Sequence, residues 1–365
     1  MIADYLREAV DLARGGKGQT SPNPLVGAVL VRSGELIGRG FHTYAGVKHA
    51  EILALEEAGE SARGATLYVN LEPCSHQGRT GPCADALIAA GVARVVAAMQ
   101  DPNPVVAGDG FRKLRAAGIA VEVSASPEAE KLNEAFLHFM RTGKPLVTLK
   151  AALTLDGKIA APDDNRGWIT SATARAHVQR LRHESDAILT GIGTVLADDC
   201  QLTDRTELPR SRPLLRVVLD SQLRLPLSSR MARKVEEDLV AVATSAASSE
   251  RRNALERRGV QVLVFDGPGG RVDIHRVVQW LGERKTLSLL IEAGSKVNWA
   301  VLEAQAADKV FFYYAPKILG GMQSLPIAGG IGRRRRMDAI RLRGVQVHSI
   351  ATDEFAVEAN VEKDY

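Results

Sequence analysis

Apolar positions follow two different spacings along the first 140 or so residues. In the segment 2–13 they recur at intervals of three and four, at Leu6, Ala9, Val10 and Ala13. This spacing predicts an amphipathic helix, whereas the short continuous apolar runs at 26–31 and 66–71 predict buried strands. Further helices are expected at 49–58, 84–90 and 128–140, and further strands at 35–41, 94–98 and 121–123. Such alternation predicts a largely parallel sheet covered by helices.

A second alternating series begins after a break at residues 141–145. Gly143 and Pro145 both interrupt a helix. Strands are then expected at 146–152, 187–190, 215–219, 239–243, 260–265, 287–291 and 310–314, followed by a β-rich tail at 340–360. Because 365 residues exceed what one hydrophobic core usually organises, we expect two α/β domains, residues 1–144 and 145–365.

Composition restricts the class of protein. Apolar residues make up 45% of the chain and charged residues 25%, which are ordinary values for a globular protein. No apolar run reaches the length of a membrane-spanning helix, and the segment 2–8 has charges where a secretory signal needs an apolar stretch. We therefore expect a cytoplasmic protein with no membrane partner. The three cysteines suggest a metal site, a catalytic role or simple burial rather than a disulfide framework.

The charge balance gives weak support for a nucleic-acid partner. The net charge is +4, and the only concentrated basic run is Arg333-Arg334-Arg335-Arg336. A solvated loop is the favoured interpretation of this run, and a dedicated phosphate-binding patch is the alternative. We expect no nucleic-acid partner.

The candidate chemistry of the first half lies in one histidine, one glutamate and two cysteines. His49-Ala50-Glu51 is followed by Cys74 and, after an eight-residue spacer, by Cys83. One imidazole and two thiolates are strong zinc ligands, and a hydrolytic zinc site keeps a fourth position open for water. Zinc lowers the pKa of that water from about 16 to about 7. Glu51 can then carry a proton from the water to a departing amine, as in the zinc deaminases.

A purely structural zinc site is the alternative. It requires a fourth protein ligand, for which His42 and His76 are the candidates. It leaves Glu51 without a role, so we favour the catalytic interpretation. Cys200 has no partner in the sequence and is interpreted as a small buried residue.

Longer motifs in the first half resemble the deaminase half of the bifunctional deaminase/reductase family of riboflavin biosynthesis. They are residues 20–27, 40–42, 49–51 and 101–104 and the long cysteine spacer, which contains Gly78-Arg79-Thr80. The resemblance implies a cytidine-deaminase-like three-layer α/β/α domain. It also implies that four polar residues line a pyrimidine pocket: Asn23, His42, His76 and Asn103.

The second half contains two glycine-bearing turns after strands but no standard dinucleotide or P-loop motif. Gly191-Ile192-Gly193-Thr194 and Glu292-Ala293-Gly294-Ser295 could each present backbone amides to a phosphate. Taken singly, such a turn is more often only a turn, so these segments do not by themselves identify a cofactor.

The second half also resembles the reductase half of the same family, through residues 149–158, 167–171, 186–195, 217–221, 291–294 and 315–321. The resemblance implies a dihydrofolate-reductase-like α/β domain that uses NADPH. The implied NADPH contacts are Ala152, Trp168, Thr194, Asp198, Ser221, Gly294, Ser295, Lys296, Val297 and Asn298. The implied substrate contacts are Arg182, Leu202, Arg205 and Glu292. The chain departs from the family pattern at Arg166, which replaces a small polar residue, and at Cys200, which replaces a proline.

The resemblance therefore implies two fused enzymes that act in succession. The first hydrolyses the 2-amino group of 2,5-diamino-6-(ribosylamino)-4(3H)-pyrimidinone 5′-phosphate with zinc, and the second reduces the ribosyl chain to ribityl with NADPH. A nucleic-acid base deaminase fused to an unrelated binding domain and a zinc-stabilised binding module are the alternatives. From the resemblance alone we also expect a homo-oligomer.

Overall fold

The structure is a computed structural model that describes residues 2–44, 48–77, 81–103, 107–163, 166–233, 235 and 238–363. The chain divides into two units. The first consists of Met1–Gly143 together with Pro209–Arg212, and the second of Lys144–Leu208 together with Pro213–Tyr365. Within the described ranges, no helix combines the length and the apolar character that crossing a membrane requires.

The first unit alternates helices and strands. Its helices are α1 (Ile2–Arg14), α2 (Ala50–Ala58), α3 (Cys83–Ala89), α4 (Asp109–Ala116), α5 (Pro127–Leu132) and α6 (Glu134–Thr142). Its strands are β1 (Gly27–Arg32), β2 (Glu35–Phe41), β3 (Thr66–Val69), β4 (Arg94–Ala97) and β5 (Ala120–Val123). A short 3₁₀ turn, Gly59–Ala62, follows α2.

The five strands form one sheet in the order β2-β1-β3-β4-β5. Strand β1 runs antiparallel to both of its neighbours, and β3, β4 and β5 run parallel. The first sheet is therefore mixed, and the expectation of a largely parallel sheet does not hold for this half. The short connection at Ser33-Gly34 makes β1 and β2 a hairpin, which forces antiparallel pairing.

Helices cover both faces of this sheet. One face packs against the small apolar residues of α2 and the apolar sides of α3 and α4. On the other face α1 lies so close to β1 that a Cβ at Gly27 would approach the Ala9 carbonyl oxygen to 2.1 Å. This arrangement is the three-layer α/β/α fold that was predicted.

The predicted single helix at 128–140 is two helices. The helix is interrupted at Asn133, which follows α5 and precedes α6 and has the non-helical backbone angles φ −99° and ψ 15°. The apolar spacing continues through the break, so it did not reveal the interruption.

The second unit is built on a longer sheet. Its helices are α7 (Ala172–His183), α8 (Ile192–Asp198), α9 (Arg230–Arg233), α10 (Ser249–Glu256), α11 (Ile274–Glu283) and α12 (Ser295–Glu303). Its strands are β6 (Leu146–Thr154), β7 (Lys158–Ala160), β8 (Ala187–Gly191), β9 (Leu215–Leu219), β10 (Leu239–Ala243), β11 (Gln261–Val264), β12 (Ser288–Glu292), β13 (Lys309–Ala315), β14 (Leu325–Pro326), β15 (Leu342–Ala351) and β16 (Glu354–Val361). Short 3₁₀ turns occur at Pro268–Gly270 and Arg336–Asp338.

Nine of these strands form a sheet in the order β11-β10-β9-β8-β12-β6-β13-β16-β15, and β7 pairs with β14. The first seven strands in that order run parallel, and β16 and β15 add an antiparallel edge. Alternating side chains of each strand face opposite layers. One face packs against α11 and α12, and the other packs against α8, α10 and, further along the sheet, α7. The predicted α/β class is confirmed in this unit as well.

Candidate active sites

The first unit brings together one imidazole and two thiols. Among the described residues, His49, Cys74 and Cys83 form the cluster whose possible ligand atoms all lie within 4.8 Å of one another. His49 Nδ1 lies 3.2 Å from Cys83 Sγ and 3.5 Å from Cys74 Sγ. The backbone N–H of Cys83 donates to Cys74 Sγ at 3.3 Å. Nitrogen and sulfur donors that converge in this way fit zinc, which prefers these ligands in tetrahedral sites.

Local structure explains why these three residues meet. His49 is the residue that precedes α2, and Cys83 is the first residue of α3, directly after Pro82. Cys74 lies in the loop that leaves β3, the strand paired with both β1 and β4. Pro82 fixes the backbone φ angle at the start of α3 and costs the helix no internal hydrogen bond. The two helix starts and the loop therefore face one point at the edge of the sheet.

Neighbouring groups shift the pKa values of these ligands. The hydrogen bond with Cys83 and, to a lesser extent, that with His49 lower the pKa of the Cys74 thiol to about 4. The same bond, together with burial, raises the pKa of Cys83. The hydrogen bond with Cys74 raises the pKa of His49. One thiolate of the pair is therefore ionised at neutral pH, and a bound cation would favour ionisation of the second.

Glu51 lies in the first turn of α2 and is only 3% exposed. Burial raises the pKa of its carboxyl to about 7, and the nearby Cys74 adds to this effect. A carboxyl with such a pKa can accept and return a proton at neutral pH. It is not one of the three converging ligands of the cluster.

Two of the residues expected in the pyrimidine pocket lie beside the cluster. The His42 ring packs edge-on against the His49 ring, with centroids 5.3 Å apart. His42 Nδ1 lies 3.0 Å from the Lys48 carbonyl oxygen, and His42 Nε2 lies 3.2 Å from Asn23 Nδ2. Because the carbonyl can only accept, Nδ1 carries the proton and Nε2 accepts from Asn23. Both ring nitrogens are thus engaged away from the cluster, and burial lowers the pKa of His42, which keeps the ring neutral.

His76 and Asn103 lie on the two loops that follow β3 and β4. Asp101 Oδ1 accepts from the Asn103 N–H at 2.9 Å, and burial raises the pKa of Asp101, while His76 opposes that shift. The motif residues Gly78, Arg79, Thr80 and Pro104 lie outside the described residues.

Glu72 organises the second of these loops and was missed by the reasoning from sequence. Its buried carboxylate accepts from the N–H groups of Asp101 and Gly108 at 3.0 Å each and of Phe111 at 3.2 Å. A carboxylate at the end of an otherwise apolar strand, two residues before Cys74, was the signal available in the sequence.

In the second unit, Glu292 at the end of β12 binds two cations. Arg182 donates to it through Nε at 2.6 Å and Nη2 at 3.0 Å, and Lys150 Nζ donates at 3.1 Å. Burial would raise the pKa of Glu292, but Lys150 and Arg182 outweigh it and hold the pKa at about 2. The glutamate is therefore a fixed negative charge that orients two cationic side chains.

Arg182 also holds the loop that carries the other two expected substrate contacts. Its Nη1 donates to the Thr203 carbonyl oxygen at 3.2 Å. Leu202 is buried and has a positive φ of 52°, whereas the Arg205 side chain is exposed. The structure thus links Arg182 directly to Glu292 and, through the backbone, to the Leu202–Arg205 loop.

The two glycine-bearing turns of the second unit lie side by side. They follow β8 and β12, which are adjacent parallel strands, and a Cβ at Gly294 would lie 3.6 Å from Thr194 Oγ1. Open parallel sheets bind ligands at the carboxyl ends of their strands. Two buried oxygens beyond the second turn, Ser295 Oγ and Asn298 Oδ1, have no hydrogen-bond partner among the described residues. Unpaired buried polar atoms at such an edge fit a site built for a polar cofactor.

The remaining expected cofactor contacts are more dispersed. Asp198 ends α8, Ser221 follows β9, Ala152 lies in β6, and Lys296 and Val297 belong to the first turn of α12. The Trp168 ring is 69% exposed, and the Arg175 guanidinium lies 4.8 Å from its centroid.

Two features that the sequence left open can now be located. Cys200 is half-buried beside an apolar cluster, and burial raises its pKa to about 11. The four arginines 333–336 lie in a mostly exposed segment, where Arg335 pairs with Asp338 and Arg333 lies over the Trp299 ring.

Comparison with known proteins identifies the family. The family description "Cytidine and deoxycytidylate deaminase zinc-binding region" matches residues 2–99, and "RibD C-terminal domain" matches residues 145–354. The riboflavin biosynthesis protein RibD of Actinobacillus pleuropneumoniae is 42% identical over 351 residues, which cover 96% of this chain and 93% of the relative. The chain belongs to the RibD family.

Solved RibD structures resemble the whole chain. RibD of Acinetobacter baumannii, 37% identical, superposes with a TM-score of 0.88 and covers 99% of both chains. A Thermotoga maritima protein, named as a diaminohydroxyphosphoribosylaminopyrimidine deaminase/5-amino-6-(5-phosphoribosylamino)uracil reductase, is 35% identical with a TM-score of 0.81 and the same coverage. This chain is therefore a RibD-type enzyme of riboflavin biosynthesis, with a zinc-binding deaminase half and a reductase half. The family, the α/β class, the two enzyme types and the zinc dependence expected from the sequence are confirmed.

Proposed function

We propose that the first unit deaminates 2,5-diamino-6-(ribosylamino)-4(3H)-pyrimidinone 5′-phosphate and that the second unit reduces the ribosyl chain of the product to ribityl. The observation that carries the first half of the proposal is a buried carboxyl, Glu51, beside three converging zinc ligands. The units are proposed to act as domains with a boundary near residue 144.

In the deaminase unit, His49, Cys74 and Cys83 hold the zinc. When bound, zinc supplies Lewis acidity that makes hydroxide available at neutral pH. Glu51 takes a proton from the attacking water and returns it to the departing amine. Asn23 and the neutral His42 orient the pyrimidine, and His76 and Asn103 close the pocket from the two neighbouring loops.

In the reductase unit, we assign NADPH to the edge formed by the two adjacent turns. When bound, NADPH supplies the hydride. The proposed contacts are Ala152, Trp168, Thr194, Asp198, Ser221 and the segment Gly294, Ser295, Lys296, Val297 and Asn298. Arg182, Leu202, Arg205 and Glu292 hold the substrate, because guanidinium groups suit its phosphate. Lys150 and Asp198 are the two candidates for handling the accompanying proton.

The test uses the full chain and both readouts. We expect ammonia release from the phosphorylated pyrimidine and, with NADPH added, oxidation of one NADPH per ammonia released. Cys83→Ser is expected to lose zinc and ammonia release but to reduce deaminated substrate normally. A single-stranded oligonucleotide is the control substrate. Ammonia release from it, and none from the pyrimidine, would support the nucleic-acid alternative instead.

We further propose that the enzyme works in the cytoplasm on small molecules and as a homo-oligomer. The homo-oligomer is supported by the edge strand β15, which exposes Leu342, Val345 and Val347. An apolar edge strand offers both unpaired backbone groups and apolar area to a second copy. Sedimentation analysis should give a mass above 39.3 kDa, and Val347→Lys should lower it.

A further inference from the structure

The backbone of one residue in the first half, Leu25, is held by two buried asparagines from distant parts of the chain. The Leu25 N–H donates to Asn133 Oδ1 at 2.8 Å, and Asn133 Nδ2 donates to the Leu25 carbonyl oxygen at 2.9 Å. Asn70 Nδ2 donates to the same carbonyl at 2.8 Å, and Asn70 Oδ1 accepts from the Gly27 N–H at 2.9 Å. Both side chains are almost fully buried, with 0% exposure for Asn70 and 2% for Asn133.

The ordinary explanation for an asparagine before a helix does not apply to Asn133. Asparagine is favoured at this position because its side chain caps the first amides of the helix. Asn133 precedes α6, yet its side chain makes no capping hydrogen bond. The side chain pairs with both polar groups of Leu25 instead, as a neighbouring strand would.

The held residue lies close to Asn23 and to His42, whose ring packs against that of the zinc ligand His49. Leu25 follows Asn23 by two positions, and the next residue, Val26, accepts from the His42 N–H through its carbonyl at 2.8 Å. Asn23 in turn donates to His42 Nε2. A shift of the Leu25 peptide would therefore move both Asn23 and His42 relative to His49.

The helices on either side of Asn133 also border the loop that leads to Asn103, one of the expected pyrimidine contacts. Glu130 of α5 and Leu137 and Arg141 of α6 form one wall of a cavity of about 310 Å³, whose other wall is residues 99–102. These helices lie beyond residues 2–99, the part that matches the zinc-binding region.

We propose that Asn133 and Asn70 are positioning residues for pyrimidine binding, and that α5 and α6 are part of the deaminase site rather than a connection to the second unit. The proposal rests on the proposed deaminase function. It adds that the segment 20–26 keeps its binding conformation only while both polar groups of Leu25 are paired.

Two variants of Asn133 separate hydrogen bonding from packing. Asn133→Leu keeps most of the volume and Asn133→Ala removes it, but both leave the Leu25 N–H without its partner. Loss of such a partner shifts a local equilibrium by roughly 5- to 150-fold. We expect KM for the pyrimidine to rise about tenfold in both variants, with zinc content and reduction of deaminated substrate unchanged. Phe136→Ala is the matched control, because it removes a buried side chain of α6 but keeps the asparagines that bond to Leu25.

Hydrogen exchange measured by mass spectrometry supplies a readout independent of activity. Both Asn133 variants should speed exchange in the peptide 20–26 selectively, whereas Phe136→Ala should not. The proposal is overturned if KM is unchanged in both Asn133 variants, if only the alanine variant shifts it, or if zinc is lost with them. A wild-type chain that releases no ammonia would instead refute the proposed function. The hydrogen-exchange data would in that case still test whether Asn133 holds the segment 20–26. Should the leucine variant fail to fold, the alanine variant and the control decide the question.

Discussion

Glu51 and Glu292 are both buried carboxylates, yet their surroundings give them opposite properties. Around Glu51, burial and the Cys74 sulfur raise the pKa to about 7. Around Glu292, Lys150 and Arg182 overcome the effect of burial and hold the pKa at about 2. One carboxyl can exchange a proton at neutral pH, and the other is a permanent anion. The same residue type is thus suited to proton transfer in one unit and orients two cationic side chains in the other.

At the residue scale, Glu51→Gln tests the proton-transfer role. The amide keeps the size of the side chain but cannot accept and return the proton. We expect ammonia release to fall by about 10²- to 10⁴-fold. Zinc content measured by atomic absorption should stay at the wild-type level, and reduction of deaminated substrate should be normal. Loss of zinc together with activity would make Glu51 a ligand, which contradicts the assigned role.

Glu292→Gln tests how much the negative charge of Glu292 stabilises the second unit. It leaves Lys150 and Arg182 side by side without their shared partner, which should cost about 3–5 kcal/mol of unfolding free energy at pH 7. Because the folded pKa of Glu292 lies below its ordinary value of 4.5, its contribution is complete above pH 4.5. That contribution is lost as the pH falls towards 2, by at most about 1.4 kcal/mol per pH unit.

The measurement is urea unfolding followed by tryptophan fluorescence. All three tryptophans, Trp168, Trp280 and Trp299, lie in the second unit, so the signal reports that unit. The difference in unfolding free energy between wild type and Glu292→Gln should become smaller as the pH falls from 4.5 to 3. Glu303, an exposed glutamate on α12, provides the control. Glu303→Gln should change neither the unfolding free energy at pH 7 nor its dependence on pH. A difference that stays constant with pH would show that Glu292 is not the titrating group.

At the scale of elements, the position of α2 depends on two glycines in β2. A Cβ at Gly40 would lie 2.4 Å from the Ala50 carbonyl oxygen, and one at Gly38 would lie 2.2 Å from that of Ala54. The backbone of α2 thus rests directly on the backbone of β2. Since His49 and Glu51 lie at the start of this helix, the glycines fix the distance between the sheet and the zinc ligands.

Gly40→Ala should therefore weaken zinc binding. The added methyl group meets backbone and cannot be accommodated by a rotation of a side chain, so α2 must move outward at its zinc-binding end. We expect a fall in zinc affinity of at least tenfold, measured by competition with a chromophoric chelator. Gly193→Ala is the control, because a Cβ there meets no atom within 4 Å apart from its chain neighbours and its own helix backbone. Equal zinc affinity in the two variants would argue against the proposed support.

Elements whose sequence signal comes from neighbouring residues were predicted well, and features that depend on residues far apart in the chain were not. Strands such as β9 and β10 were predicted to the residue, since buried runs of branched residues end abruptly at turns. The ligand set was visible because His49, Glu51 and the cysteines carry chemistry in their spacing. Asn133 was not, since its partner Leu25 is 108 residues away and the apolar spacing continues through it. Non-local hydrogen bonds to backbone leave no periodic pattern in the sequence.

At the scale of the whole molecule, the two units have separate apolar cores and separate chemistry. One cluster joins the first sheet to α2, α3 and α4, and others join the second sheet to its own helices. The zinc ligands all belong to the first unit. Removal of the metal should therefore affect one unit and leave the other unchanged.

Zinc removal from the full chain tests this independence. Dialysis against a chelator should abolish ammonia release, and it should lower the temperature at which the first unit unfolds, because binding energy of a metal is also folding energy. Calorimetry should detect that shift. The midpoint reported by tryptophan fluorescence and the rate of NADPH oxidation with deaminated substrate should both stay at their wild-type values. Added zinc should restore ammonia release. If chelation also slows reduction or lowers the fluorescence midpoint, the reductase unit depends on the metal-bound state of the first unit, and the two cannot be treated as independent enzymes.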